Sequence, residues 1–213
     1  MIVKDHFMKN LFKKVELKGQ YVLEIGCGNG FRTQQFGHIR GVKIEAIDPD
    51  EQAITYAKEN NYDDDINYTV AQAESLPFSE KTFDIVIFTL SMHHINNDKK
   101  ALTEACRVLK NKGTIVVIEP GLKGTIFEAE INFDCFDGDE TKQKAKAYET
   151  IMRESKMKMT SEFWGETEWK FESLEDFNDE MKPKKNLHKL ELFLNKNKYK
   201  LWGERRINVF VKK

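Results

Sequence analysis

The sequence has little cysteine, no excess of charge and no long apolar run. Its three cysteines, Cys27, Cys106 and Cys135, stand far apart without a CxxC pair, which excludes a disulfide framework and a cysteine-based zinc site. Lys and Arg total 34 against 35 Asp and Glu, for a formal net charge of −1, so a nucleic-acid partner is not expected. Neither residues 1–20 nor any later stretch is apolar for long enough to be a signal peptide or a membrane span. We therefore expect a soluble, cytoplasmic protein.

Short apolar runs alternate with helical patterns up to Pro120. Strands are predicted at residues 21–25, 42–47, 66–70, 83–88 and 114–119. The last two runs are apolar almost throughout, as is typical of parallel strands that helices cover on both faces. The alternation of strands and helices predicts a doubly wound, Rossmann-like α/β fold.

Residues 121–181 interrupt this alternation. The segment is rich in Phe, Trp and Met, and it shows helical patterning around 141–159 and again from Ser173. An amphipathic helix over 186–197 follows, and residues 199–213 are interpreted as two strands about a turn near Gly203. The predicted fold is thus a mostly parallel, seven-stranded sheet formed by 1–120 and 182–213. Residues 121–181 are predicted to form a helical insertion after the fifth strand. We expect this insertion to be a lid that binds the substrate.

The turn after the first predicted strand holds Gly26, Gly28 and Gly30 at alternate positions. A dinucleotide fingerprint of the G-x-G-x-x-G type would need its third glycine where Phe31 stands, and no Walker lysine follows. Glu24, just before the turn, would be an awkward neighbour for a pyrophosphate. A ligand with a cationic centre and a zwitterionic end is easier to accommodate, because a helix that begins near Phe31 can point its amide groups at a carboxylate.

Asp48 ends the second predicted strand, eighteen residues after Gly30. A carboxylate at this place can accept hydrogen bonds from both hydroxyls of a ribose that lies across the crevice of an α/β sheet. The alternative is that Asp48 is a helix N-cap or a turn residue.

These motifs, LEIGCGNG (23–30), Asp48 and VAQAESLPFSEKTFDIVIF (70–88), resemble the class I S-adenosylmethionine-dependent methyltransferases. The resemblance is to the small-molecule branch that includes the ubiquinone and menaquinone methyltransferases, and it covers residues 15–120 and the closing strands. It implies S-adenosylmethionine as cofactor and methyl transfer to a small-molecule acceptor. An RNA or protein methyltransferase and a non-catalytic S-adenosylmethionine-binding protein are the alternatives. The sequence does not indicate an oligomeric state.

The resemblance also implies the residues that bind the cofactor. The glycines contact its methionyl end, Asp48 its ribose, and Pro49 packs on the adenine. Gln72 stands where the family commonly has Asp, and its carbonyl can still accept a hydrogen bond from the adenine amine. The implied residues are Glu24, Gly26, Gly28, Gly30, Asp48, Pro49, Gln72, Ala73, Thr89 and Leu90.

His93 and His94 are candidates for catalysis or for metal binding. On an α-helical turn two adjacent side chains point about 100° apart, so they cannot easily share one metal. The acidic stretch 134–140 lacks the order of ligands of an EF-hand, and no metal is expected. If the acceptor must lose a proton, His93 or a carboxylate of the insertion is the base. The other interpretation of His93 is structural.

The insertion is also the expected place for the acceptor, because loops at the carboxyl ends of the strands line the crevice. Its Phe and Met content favours an aromatic or otherwise apolar acceptor. The alternative is that these residues form the core of the insertion itself.

Overall fold

A computed structural model describes residues 1–136, 138–153 and 156–213. The strands are β1 Ile2–Asp5, β2 Tyr21–Ile25, β3 Lys43–Asp48, β4 Ile66–Val70, β5 Phe83–Thr89, β6 Leu109–Pro120, β7 Met157–Lys170 and β8 Lys200–Lys212. The helices are α1 Phe7–Lys14, α2 Phe31–Gly37, α3 Glu51–Glu59, α4 Asp98–Val108, α5 Thr125–Phe133, α6 Thr141–Arg153, α7 Leu174–Met181 and α8 Leu187–Lys196, with a 3₁₀ turn at Met92–His94. The strands form one sheet in the order β1-β7-β8-β6-β5-β2-β3-β4.

The parallel half of the sheet consists of the five strands predicted before Pro120. Strands β6, β5, β2, β3 and β4 pair in parallel, and β5 is buried along almost its whole length. Separate apolar clusters lie on the two faces of the sheet, as expected where helices cover both sides. The predicted doubly wound α/β fold is confirmed for this half.

The count of seven strands and the predicted hairpin were wrong. Strand β8 runs without a turn through Gly203 and pairs antiparallel with both β6 and β7, and β1 pairs with the far edge of β7. A Cβ on Gly203 would collide with Ile126 of α5. The glycine therefore permits close packing of a helix on the strand, and it does not mark a turn.

The predicted insertion is helical only in part. Helices α5, α6 and α7 lie within residues 121–181, but β7 is a long strand inside the sheet, eight strands wide in the described part of the chain. Much of β7 alternates between exposed and half-buried positions, which is the pattern of a strand with one covered face. Helices α5, α7 and α8 and strands β7 and β8 contribute to a third apolar cluster. The division of the chain into a cofactor domain and a lid stays a prediction.

In the part of the chain that the structure describes, no helix combines the length and the apolarity that crossing a bilayer would require.

Candidate functional site

A cavity of about 630 Å³ opens at the carboxyl ends of the parallel strands. Strand β5 lies beside β2 on the side opposite to β3, so the direction of winding reverses between β2 and β5. Open α/β sheets bind their ligands at such a reversal. Eight of the predicted cofactor-binding residues line the cavity: Gly26, Gly28, Asp48, Pro49, Gln72, Ala73, Thr89 and Leu90.

Backbone hydrogen bonds fix the glycine loop between β2 and α2. The amides of Gly26 and Cys27 both donate to the carbonyl of Ile47, at 2.8 and 3.1 Å. Gly26 and Gly28 have φ angles of +79° and +53°, a region that costs other residues about 1–2 kcal/mol. A Cβ on Gly26 would collide with Ser91, whereas a Cβ on Gly28 would meet nothing within 4 Å. The fold therefore requires the first glycine, and the second leaves open space at the cavity wall.

Asp48 is held against the glycine loop. Its Oδ2 accepts from the Gly28 amide at 2.9 Å, and its Oδ1 accepts from the Asp50 amide at 3.0 Å. Each carboxylate oxygen can accept a second hydrogen bond, so both can still receive a hydroxyl from the cavity. The N-cap of α3 is Asp50, whose Oδ1 accepts from the amides of Gln52 and Ala53. Asp48 is therefore not the cap of this helix.

Glu24 and Gly30 do not line the cavity. Glu24 is fully buried, and this burial raises the pKa of its carboxyl, although the hydroxyls of Thr33 and Thr89 oppose the rise. Among the residues that the structure describes, neither Glu24 oxygen has a hydrogen-bond partner. Glu24 does not line the cavity, so it can affect cofactor binding only indirectly, through the glycine loop that follows it.

Several polar side chains of the cavity are absent from the predicted cofactor-binding set, although His94 was singled out as a candidate for catalysis or metal binding. These are Asn29, Arg32, Glu74, Ser91, His94 and Asn96. The segment after β5 supplies three of them, and the Oγ of Ser91 donates to the Ile25 carbonyl at 2.7 Å, which ties this segment to the end of β2. The available signal was position: residues that directly follow a central parallel strand lie at the crevice.

A second cavity, of about 280 Å³, adjoins the first. Both cavities are lined by Arg32, Leu90 and His94. The other residues that line the second cavity are His93, Pro120, Ile126, Glu130, Phe136, Gly138, Glu140, Lys144, Trp169 and Arg205. Many of these residues belong to the segment 121–181, so this segment lines a cavity next to the cofactor crevice.

His93 stands in the wall of the second cavity between two glutamates. Its Nδ1 lies 2.5 Å from Oε2 of Glu119, and its Nε2 lies 3.5 Å from Oε2 of Glu140. Burial alone would lower the pKa of His93, but the hydrogen bonds to the two carboxylates raise it to about 9. The ring is therefore an imidazolium at neutral pH, and it can accept a proton only in alkaline solution.

Replacement of His93 by Gln should destabilise the protein most at neutral and acidic pH. The pKa of His93 is about 9 in the fold against 6.5 for the free side chain. Its protonation therefore stabilises the fold fully below pH 6.5, and this contribution is lost as the pH rises through 9. We expect a deficit of about 1–3 kcal/mol at pH 6.5 that shrinks by pH 10. Urea unfolding of both proteins at several pH values measures it.

His94→Gln is the matched control for this experiment. The His94 ring lies 4.0 Å from that of His93, but its side chain is half exposed, so little change in stability is expected. A His93→Gln deficit that is the same at every pH would contradict the assignment of the proton to His93.

The two histidine rings do not point apart, contrary to the expectation from an α-helical turn. They lie in a 3₁₀ turn and both face Glu140, and one ligand atom from each of the three residues lies within 4.8 Å of the others. Lys144 Nζ is 3.6 Å from the same glutamate, so a cation already neighbours this carboxylate. The expectation that no metal binds stays a prediction. Asp137, part of the acidic stretch, lies outside the described residues.

The comparisons with known proteins agree on the domain that forms the first cavity. The family model described as a methyltransferase domain matches residues 23–117. The ubiquinone/menaquinone biosynthesis C-methyltransferase UbiE of Pasteurella multocida is 33% identical over 108 residues, which cover 48% of this chain and 40% of that protein. The demethylmenaquinone methyltransferase of Renibacterium salmoninarum is 32% identical over 101 residues, 47% of this chain and 41% of that protein. The chain thus spans about two fifths of the length of the curated relatives it matches.

Solved structures share the fold over nearly the whole chain. A Bacillus halodurans C-125 protein put forward as a methyltransferase has a TM-score of 0.69 at 22% identity, covering 96% of this chain and 98% of that one. An S-adenosylmethionine-dependent methyltransferase of Aquifex aeolicus has a TM-score of 0.60 at 17% identity, covering 94% and 89%. At these identities the likeness shows the fold alone.

Residues 23–117 thus match a methyltransferase domain, and about half of the chain is similar to part of UbiE. The predicted resemblance to the ubiquinone and menaquinone methyltransferases is confirmed for this part of the chain. The matched residues include those of the glycine loop and Asp48. Most of the residues that line only the second cavity lie beyond position 117.

Proposed function

We propose that this protein transfers the methyl group of S-adenosylmethionine to a small-molecule acceptor that binds in the second cavity. The observation that carries the proposal is the shared wall formed by Arg32, Leu90 and His94. Ligands in the two cavities would both contact these three side chains, so the methyl donor and the acceptor would be close neighbours. A cavity of about 280 Å³ suits a small molecule, near the lower end of the range for ligand pockets.

The residues of the first cavity fit the cofactor chemically. Asp48 offers carboxylate oxygens to the ribose hydroxyls, and the open space beside Gly28 gives the methionyl end access to the backbone. Pro49, Gln72 and Ala73 line the same cavity, and we assign them to the adenine. When bound, S-adenosylmethionine supplies an electrophilic methyl group on a sulfonium. The chain has to hold the acceptor collinear with it and to exclude water, and such orientation supplies much of the rate enhancement.

An acceptor that loses a proton requires a base, and the second cavity offers two candidates. Glu140 is ionised at neutral pH: burial raises the pKa of its carboxyl, but the hydrogen bond with His93 and the charges of His93, His94 and Lys144 together lower it below the usual value. His93 can act only after losing its own proton. We therefore assign the base role at neutral pH to Glu140. His93, whose ring Glu119 orients through Nδ1, can serve as the base only in alkaline solution.

Binding and transfer are tested separately. Calorimetry with S-adenosylhomocysteine measures cofactor binding, and a labelled methyl donor is then offered with a metabolite panel, with total RNA and with lysate protein. We expect label in the small-molecule fraction. Label in RNA or protein would overturn the small acceptor, and binding without any transfer would indicate a non-catalytic protein.

Amide hydrogen exchange should locate the part of 121–181 that responds to ligand. Helices α5 and α6 flank the second cavity, whereas β7 is paired with β8 along its length and also with β1 over Thr167–Lys170. We expect S-adenosylhomocysteine to slow exchange in α5 and α6 by about tenfold and to leave exchange in β7 nearly unchanged. The reason is that the segments that close over a ligand are usually those of low local stability. If α5 and α6 exchange as slowly as β5 without ligand and ignore it, they are a rigid wall.

A further inference from the structure

One wall of the second cavity is formed by an arginine on the antiparallel side of the sheet. Arg205 lies on β8 opposite Pro120, the last residue of β6, and opposite Gly165 of β7. At this position β6 ends and the chain leaves the sheet at the crevice. The residue is only 5% exposed, yet it borders the cavity.

The partners of the Arg205 guanidinium are neutral. Its Nε donates to the Thr167 hydroxyl and its Nη1 to the Glu204 carbonyl, both at 3.0 Å. The group also lies over the Trp169 ring, 4.8 Å from the ring centre. Hydrogen bonds of this kind satisfy donors but do not neutralise a buried charge.

The acids around Arg205 are held by other cations. Asp5 lies 3.0 Å from Arg32, and Glu130 lies 3.1 Å from Lys144. Glu119 is bound to His93. Asp5 reaches Arg205 only through the Thr167 hydroxyl, which donates to Asp5 at 2.6 Å. Within the described residues, no carboxylate oxygen lies within 4.0 Å of an Arg205 nitrogen, since none of their ion pairs includes it.

A buried arginine without an ion-pair partner is costly for the free protein. Burial lowers the pKa of the Arg205 guanidinium to about 10, which shows how strongly this site disfavours the charge. A carboxylate accepts two parallel hydrogen bonds from a guanidinium and would supply the missing charge. The site is therefore better suited to a ligand with a negative group than to a neutral one.

The remaining walls limit the rest of the ligand. Apolar side chains line part of the cavity: Leu90, Pro120, Ile126, Phe136 and Trp169. Glu130 and Glu140 also face the cavity, but Lys144 lies within 4 Å of both, so they are poor partners for a cationic ligand. The volume of about 280 Å³ admits a body of one ring or a short chain.

We propose that the methyl acceptor is a small organic acid with an apolar body, and that Arg205 binds its carboxylate. This inference rests on the proposed function, since it names the chemical class of the acceptor in the same cavity. It adds Arg205 as the residue that determines specificity.

The test uses calorimetry on the whole protein saturated with S-adenosylhomocysteine. The probes are benzoate and hexanoate, each compared with its neutral amide, benzamide or hexanamide. Wild type should bind at least one acid at least tenfold more tightly than its amide, because only the acid gains the charge-assisted pair. In Arg205→Met the ratio of the affinity for the acid to that for its amide should fall to near one. Arg205→Lys should restore part of this ratio.

Arg206→Met is the matched control. Its side chain lies on the opposite face of β8, stacked on Tyr148 and Trp164, so the preference for the acid should remain. The inference is overturned if wild type prefers neither acid, or if Arg205→Met keeps the preference. Failure of the proposed function is seen separately, as absent binding of S-adenosylhomocysteine to wild type or as transfer of label to a macromolecule.

Discussion

Gly28→Val should abolish the binding of S-adenosylhomocysteine or weaken it by about a hundredfold or more. Gly28 has a φ of +53°, and a Cβ there would enter open space at the wall of the cofactor cavity. A branched side chain at this position would occupy the volume that the methionyl end needs. It would also be strained, by about 1–2 kcal/mol. Calorimetry measures the affinity, and urea unfolding measures the cost to the fold.

Gly19→Val separates strain from occlusion. Gly19 has a φ of +71°, and its Cβ would likewise meet nothing within 4 Å, but the residue is exposed and does not line the cavity. Both variants should lose similar stability, and only Gly28→Val should lose the ligand. A folded Gly28→Val protein with normal affinity would show that the cofactor does not approach this loop.

Asp48→Ala should weaken cofactor binding by about ten- to a hundredfold. A charge-assisted hydrogen bond contributes roughly 1.5–3 kcal/mol, and the substitution removes the carboxylate proposed to hold the ribose. The same carboxylate also accepts from the Gly28 amide at 2.9 Å, so part of the loss comes from the loop. Asp48→Asn retains one oxygen for that amide and should fall between wild type and Asp48→Ala.

Asp50→Ala is the control for the aspartate variants. Asp50 caps α3 and lies outside the cavity lining, so the substitution should cost about 1 kcal/mol of stability and leave affinity unchanged. Unchanged affinity in Asp48→Ala as well, measured by calorimetry, would remove Asp48 from the site.

The parallel half of the fold and the cofactor cavity could be predicted from the sequence because their signals are local. An apolar run such as 83–88 indicates a buried strand, and glycines that follow a strand indicate a ligand-binding turn. Neither prediction needs information from distant residues. The strand order then brings Asp48 and Leu90 to the same cavity without further information. Glu24 and Gly30 were harder to place, since residues of one motif can lie on the cavity wall or beneath it.

The antiparallel half depends on contacts that are distant in sequence. Strand β7 was taken as part of a helical segment because its pairing with β8 cannot be read from either strand alone. Gly203 was interpreted as a turn, whereas the packing of Ile126 explains it. The second cavity gathers Leu90, Lys144 and Arg205 from separate elements, so its charge pattern becomes visible only in three dimensions.

The wall shared by the two cavities divides the molecule into a donor half and an acceptor half. Residues 23–117, which match the methyltransferase-domain model, carry the donor half, and residues 121–213 carry most of the other. Under the proposed function, substitutions in the acceptor half can therefore change what is methylated while the donor half keeps the same cofactor. On this view, chimeras that exchange residues 121–213 between related chains would inherit the choice of acceptor from one parent and the common cofactor from both.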